Sequence, residues 1–510
     1  MEKKTKGWLA ALLAAGLAGV VCAAAFFLPG TERTGGEADI LLNSDSAAVS
    51  GSGVSVSGTT VTIKEAGDYR ISGTLEDGQI RVEAGDKDEV RLHLDGVAVA
   101  NEKEDAIHIK EAGSARICLA EGTENEVRSG QKPDGSASGN GDEASGAAVF
   151  SKENLILEGG GSLTVYGYIN GGIKSKKDLQ IMSGNYQVES TGDALHSNED
   201  LLIADGTFSL ASGDDGMHAD RQLTVKAGNI DITKSYEGLE GNEVYVEGGE
   251  IQIVSSDDGI NAYGGQNEGR GGFGGSQKTT ETKPKLVISG GVISVDASGD
   301  GLDSNGDLSI EGGTIRIDGP SDGGNGALDS GTENGGSLLV SGGSVIAVGS
   351  SGMAETFQEE SKQCSFRYNH SEAVAAGTVI TVQNEVGDVL FSHTAKREFS
   401  SVVFSSPDLK QGEKYTLLLG EEKVEIELSS MSVSAGAEGH AFGGRRPDGG
   451  EPPREKPDGE MPRGEKPEGE GGKARNYAIG GGGRLTKNTI PYKMILLYHK
   501  KDTWKFEKVI

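Results

Sequence analysis

Seven segments of the chain repeat one alternation of apolar and polar residues around a glycine: LQIMSGNYQVE, LLIADGTFSLA, LTVKAGNIDIT, VYVEGGEIQIV, LVISGGVISVD, LSIEGGTIRID and LLVSGGSVIAV. The glycines are Gly184, Gly206, Gly228, Gly249, Gly291, Gly313 and Gly343, so the intervals are 22, 22, 21, 42, 22 and 30 residues. Apolar residues at every second position predict two short strands on either side of a glycine corner, with pairs such as Leu179/Ile181 and Tyr186/Val188 facing inward. A third short piece follows each unit: GDALHSN, DDGMHAD, EGLEGN, DDGINAY, GDGLDSN or GALDSG. Three strands in 21–22 residues describe one coil of a parallel β-helix, an all-β solenoid. A leucine-rich repeat has a similar length but needs a helical limb, and glycine inside every unit opposes a helix.

Looser copies of the pattern (VTIKEAGDYRISG, AIHIKEAGSARICLAEG, LILEGGGSLTVYG) extend it back to Val54, so residues 53–352 are expected to form the solenoid. About a dozen coils stacked at about 4.8 Å would span roughly 55–60 Å. Polar, glycine-rich stretches at 129–146 and 264–285 are expected to leave its side as loops. Residues 353–432 lose the period and read as hairpins of a β-rich capping module, which a solenoid needs to cover its last unpaired strands. Residues 31–52 read as a linker and 433–475, rich in Gly, Pro and charge, as a disordered tail. Residues 476–510 differ in composition and receive no assignment.

At the N-terminus, Lys3, Lys4 and Lys6 precede an uncharged run from Trp8 to Leu28. That is the pattern of an export signal, with Ala23–Ala25 as a cleavage site, or of a retained membrane anchor. Both place the rest of the chain outside the cytoplasm or at the cell surface. Three cysteines, Cys22, Cys118 and Cys364, make no disulfide framework. The formal charge of −30 disfavours nucleic acid and favours cations, or ligands reached through cations.

The third pieces carry the candidate chemistry. Aligned on their small residue, they place Asp193, Asp215, Glu237, Asp258 and Asp300 in one column, with Asp214 and Asp257 doubling two of them. Two residues after the small residue stand His196, His218, Glu240, Asn261, Asp303 and Asp329. Carboxylates about 4.8 Å apart repel by roughly 3 to 4 kcal/mol per neighbour at an effective dielectric near 20. Raised carboxyl pKa values or a divalent cation would relieve that repulsion. Hard oxygen ligands at Gly-rich turns suit Ca²⁺; its candidate ligands are Asp193, Asp214, Asp215, Glu237, Asp257, Asp258, Asp300 and Asp303. The plainer account is that Asp and Gly only make turns. The two histidines raise zinc, but no cysteine accompanies them, and a surface stack of one imidazole on the other accounts for the pair.

In order and phrasing, AGDYRISGTLEDGQIRVEAGDKDEVRLHLDGVAVAN, LILEGGGSLTVYGYINGGIKSKKDLQIMSGNYQVESTGDALHSNEDLLIADGTF and GDGLDSNGDLSIEGGTIRIDGP resemble the bacterial, mostly clostridial, carbohydrate-binding β-helix proteins over about residues 40–450. The resemblance implies a right-handed parallel β-helix with bound calcium. It also implies binding of plant cell-wall polysaccharide, cellulose and acidic pectic chains. That group looks like the calcium-dependent pectate lyases, whose DDGxD-like loops ligate the metal. The matching strings here are DDGMH (214–218), DDGIN (257–261) and GDGLD (299–303); only the last keeps the final Asp, and it lacks the first.

Two functions of different classes follow. One is non-catalytic polysaccharide binding assisted by Ca²⁺, with Tyr236, Tyr263, His196 and His218 as candidate sugar-contacting residues beside the acids. The other is β-elimination of a uronate chain, which needs Ca²⁺ and a basic residue. Arg221, Lys226, Lys234 and Arg270 are its candidates, and none recurs in the acidic column. A structural or adhesive surface solenoid without a sugar ligand is the third reading.

Overall fold

The computed structural model describes residues 36–132, 146–264 and 283–437. Among them there is no α-helix, only a 3-10 turn at Gly331–Asn334, and one extended β-sheet system holds most strands. The strands follow the alternation. In Asn185–Ser190, for example, Tyr186 and Val188 are buried while Asn185 and Gln187 are exposed.

Strands one repeat apart pair in parallel and build three ladders. The first runs from Glu124–Ser129 through Ser162–Gly167, Asn185–Ser190 and Thr207–Ala211 to Ser344–Gly349. The second runs from Ile107–Glu111 through Leu195–Ser197 to Leu302–Ser304. The third runs from Ser114–Leu119 through Leu179–Ile181 to Ser337–Val340. Met217–Val225 and Leu239–Val246 belong to both the second and the third. The glycine intervals are the register itself: Asn185 pairs with Thr207, Thr207 with Asn229, Asn229 with Glu250, and Glu250 with Val292.

In-register pairing stacks like on like, so the core is a set of apolar columns. Leu163, Tyr186, Phe208, Ile230, Ile251 and Ile293 succeed one another, all buried, with the Tyr186 ring on Phe208 at 5.2 Å. Ile232 lies between Leu210 and Ile253 in the parallel column and is fully buried. Truncation there leaves a cavity that two rigid coils cannot close. Ile232→Ala is expected to cost about 2–4 kcal/mol, read as a lower urea midpoint with an unchanged slope.

The corner glycines are fixed by conformation and by space. All seven have positive φ, from +80° at Gly343 to +136° at Gly206. A Cβ on Gly228 would also lie 2.8 Å from the carbonyl oxygen of Gly206, the corner one coil below.

Two boundaries differ from the sequence reading. Residues 36–51, expected within a linker, form strands Gly36–Ser44 and Ser46–Gly51; the first pairs in parallel with Gly67–Leu75. Ala38, Ile40 and Leu42 alternate and are buried, which gives this short segment its reason to join the sheet. At the other end, Ser432–Gly436 pairs with Ser365–Asn369, so the chain expected to be a tail from 433 is a strand for its first residues. In the C-terminal region, Phe399–Ser405 runs antiparallel to Ser344–Gly349 and covers the edge of the last coil. Val379–Asn384, Val389–Thr394, Lys414–Leu419 and Glu422–Glu427 form a separate antiparallel sheet, whose Phe391 and Leu417 share a core with Phe366, Phe404 and Ile346 of the large one. The N-terminal apolar run, most of both expected loops, and the sequence from 438 onward lie outside the described residues.

Candidate functional site

The acids stand in single file, as the repeat predicts. Each backbone carbonyl accepts from the small residue of the preceding coil: Ala194 N–H donates to Asp215 O (2.9 Å), Gly216 to Glu237 (2.9 Å), Gly238 to Asp258 (3.1 Å) and Gly259 to Asp300 (2.8 Å). The small residue is required because a Cβ on Gly259 would meet Val295 Cγ1 at 2.3 Å and Gly301 O at 2.5 Å. The side chains add a second link. Asp215 N–H donates to Asp193 Oδ1 (3.1 Å), Glu237 N–H to Asp215 Oδ1 (3.2 Å), Asp300 N–H to Asp258 Oδ1 (2.7 Å) and Gly326 N–H to Asp300 Oδ1 (2.5 Å). The turn-forming role of aspartate is therefore played between coils, and in Asp193 and Asp215 the second oxygen faces a histidine. Tyr236 sits between the doubling acids: its N–H donates to Asp214 O, and Asp257 N–H donates to Tyr236 O.

The second column divides the site into two electrostatic halves. His196, His218, Glu240, Asn261 and Asp303 are successive ladder partners. The imidazoles stack at 4.5 Å between centroids, 19° from parallel. His196 Nδ1 lies 2.5 Å from Asp193 Oδ2, and His218 Nδ1 lies 3.1 Å from Asp215 Oδ2 and contacts Glu240 as well. Burial would lower His218, but its bonds to Asp215, Asp220 and Glu240 outweigh it and raise its pKa well above the ordinary value. Burial pushes Asp193 up, yet the His196 bond and charge overcome it and hold that carboxyl well below the usual range. At Asp215 burial prevails, and with Glu240 and Asp193 close by its pKa is raised. This half carries its own countercharge.

The surface stack expected of His196 and His218 is corrected here. The two residues are only 8% and 3% exposed, so they form the interior of the site. Polar neighbours on the adjoining coils, not the apolar core, enclose them. Sequence reasoning missed Asp220, which faces both imidazoles, and Asp105–His108, an earlier copy of the same pair with Nδ1–Oδ2 at 3.1 Å. The signal was available: Asp-(Ala/Gly)-apolar-His occurs at 105–108, 193–196 and 215–218.

In the other half, carboxylates face carboxylates. Burial, then Glu240, push Glu237 up to about 9 against a bond from Asn261 Nδ2 at 3.0 Å. Burial, with Asp257 and Asp329, raises Asp258 to about 6. Burial, then Asp258, Asp329 and Asp257, raise Asp300 to about 7. Asp258, Asp300 and Asp303 each present an oxygen, all within 4.8 Å of one another. Two oxygens on one Ca²⁺, each about 2.4 Å from it, are at most about 4.8 Å apart, so this all-oxygen set fits that ion. Asp193, Asp214 and Asp215 also bring oxygens within that distance, but the first and third are already bound to histidine.

Among the tyrosines, Tyr186 is in the core, while Tyr236 and Tyr263 are half-buried, Tyr263 with its ring 6.1 Å from His218. A separate cleft of about 430 Å³ lies over the third ladder, where Gln180, Leu202, Thr224 and Tyr245 are successive partners beside Lys226. No residue of the acidic file lines it. Arg221, a candidate base, donates to both oxygens of Asp200 at 2.6 and 2.5 Å.

Comparison with known proteins gives the family. A carbohydrate-binding domain-containing protein from Acetivibrio thermocellus is 37% identical over 143 residues, which cover 27% of this chain and 48% of that one. The chain thus spans about half the length of the curated relative it matches. A solved structure, a polysaccharide lyase-like protein from C. thermocellum in a gadolinium derivative, is 26% identical with a TM-score of 0.35, covering 60% of this chain and 97% of that one. The family described as carbohydrate-binding domain-containing protein matches residues 57–323, just over half of the 510 residues, and the chain belongs to that family.

Proposed function

We propose that this protein is a non-catalytic binder of plant cell-wall polysaccharide, cellulose and acidic pectic chains, that works outside the cell or at its surface. In this reading the fold is a right-handed parallel β-helix, and Ca²⁺ held by Asp258, Asp300 and Asp303 bridges the protein to uronate carboxylates. Glu237 and Asp257 flank that ion, and Tyr236 and Tyr263 offer ring faces to the sugar beside it. The observation that carries the proposal is the convergence of Asp258, Asp300 and Asp303, whose oxygens lie within 4.8 Å of one another, a concentration of negative charge that a divalent cation relieves. The family membership supports the carbohydrate partner.

β-Elimination is the weaker reading because Arg221, one of its candidate bases, is committed to Asp200. Calorimetry with polygalacturonate tests the choice. Binding with Ca²⁺ that disappears in EDTA, with no unsaturated product absorbing in the ultraviolet, is the expected result. Accumulation of that product would make the protein a lyase, and binding indifferent to EDTA would remove calcium from the account.

A further inference from the structure

We propose that His196, His218 and Asp220 form a binding site for a divalent metal of the zinc class, distinct from the oxygen site at Asp258, Asp300 and Asp303. Both Nε2 atoms face a single oxygen, Asp220 Oδ1, at 3.5 Å from His196 and 3.1 Å from His218. A tetrahedral zinc ion with bonds of about 2.0–2.1 Å separates its ligand atoms by about 3.3–3.4 Å, so the two measured edges straddle the required value. The three ligand atoms lie within 4.8 Å of one another, and the Nε2–Nε2 edge closes by further tilting rings that already depart from parallel by 19°.

The surroundings are those of a metal site. Each Nδ1 is held by its own carboxylate, Asp193 at 2.5 Å and Asp215 at 3.1 Å, which turns Nε2 toward the ion and raises its basicity. Asn198 Nδ2 donates to Asp220 Oδ2 at 2.6 Å and so presents Oδ1 to the imidazoles. An independent observation points the same way: His196 Nε2 is buried and has no hydrogen-bond partner, although the side chain is nine-tenths enclosed. Four carboxylates (Asp193, Asp215, Asp220 and Glu240) surround two imidazoles, so added positive charge is favourable. Two nitrogens and one oxygen select a borderline ion over Ca²⁺, which takes oxygen alone. Asp220 is the exposed member, with a side chain 37% accessible, so the ligand set meets solvent on that side.

The test is Co²⁺ and Zn²⁺ titration of the EDTA-treated, dialysed full chain in excess Ca²⁺. Expected are the visible absorption of four-coordinate Co²⁺, its loss on adding Zn²⁺, and one Zn²⁺ per chain that Ca²⁺ does not displace. Asp193→Asn, which removes the carboxylate that orients His196, should weaken binding ~10–100-fold. Asp220→Asn and His196→Gln should weaken it at least as much, and Asp258→Asn should leave it unchanged. Where a variant fails to fold, NMR of the unaltered chain decides: Zn²⁺ should shift the ring protons of two histidines and no others. Absence of the Co²⁺ absorption, displacement of Zn²⁺ by Ca²⁺, unaltered affinity in folded Asp220→Asn, or shifts at other histidines would overturn the site.

Discussion

In a chelator, the protein is expected to lose stability as pH rises from about 4 to about 9, and added Ca²⁺ should remove most of that loss. Asp258, Asp300 and Glu237 have folded pKa values of about 6, 7 and 9, above the ordinary carboxyl range near 4. A raised folded pKa means the folded state binds more protons than the unfolded state between the two values. The stabilisation is then complete below the unfolded pKa and disappears as pH climbs through the folded one. At about 1.4 kcal/mol for each tenfold change in proton affinity, full ionisation of buried Asp300 costs on the order of 4 kcal/mol. His218, also raised, adds to the decline, whereas Asp193 and Glu240 are depressed and act below pH 4, where their protonation destabilises the fold. The metal-free optimum therefore lies near pH 4 to 5. Urea midpoints across this range, with EDTA and with Ca²⁺, measure the effect. Asp300→Asn should flatten the metal-free curve, and a curve already flat in EDTA would show that the carboxylates do not oppose one another.

Replacing His218 with leucine is expected to cost about 3–5 kcal/mol in metal-free buffer, because it removes the cation between three carboxylates and leaves their charge uncompensated. Asp215, His218 and Glu240 are all at least nine-tenths buried, so water cannot substitute. Asp220→Asn, at the exposed margin, should cost no more than about 1 kcal/mol. Adding Glu240→Gln to His218→Leu should recover part of the loss, since one uncompensated charge is then gone, and the double-mutant cycle reads that coupling directly. If His218→Leu unfolds at the same urea concentration as the unaltered protein, the imidazole is not the countercharge.

The repeat and its columns were legible because a parallel ladder converts sequence interval into spatial coincidence. The 22, 22, 21 and 42 residues separating the corners reappear as the pairs Asn185–Thr207, Thr207–Asn229, Asn229–Glu250 and Glu250–Val292. The file of acids followed from the same rule. Asp220 did not, because the repeated position it occupies carries Asn198, Asn242, Tyr263 and Asn305 in the other coils, so no column of acids marks it; it meets the histidines by pointing to the same side of its strand as His218, two residues away. Burial of the imidazoles was hidden for a related reason. A period of two separates inward from outward residues, yet these outward residues are enclosed laterally by Asp220, Glu240 and Tyr263. The strand at Gly36–Ser44 escaped because its partner begins at Gly67, outside any repeat interval.

The pairing of Glu250 with Val292 shows that the molecule measures distance by hydrogen-bond register and not by chain length. About twenty residues of sequence separate Ala262 from Lys285, and the coils on either side still meet as Leu239 with Ile260 and Val244 with Leu286. Doubling the length of such a connection adds only about 0.6 kcal/mol of closure entropy. The scaffold can thus accept new sequence at this point, whole peptides included, while the neighbouring acids and imidazoles keep their places.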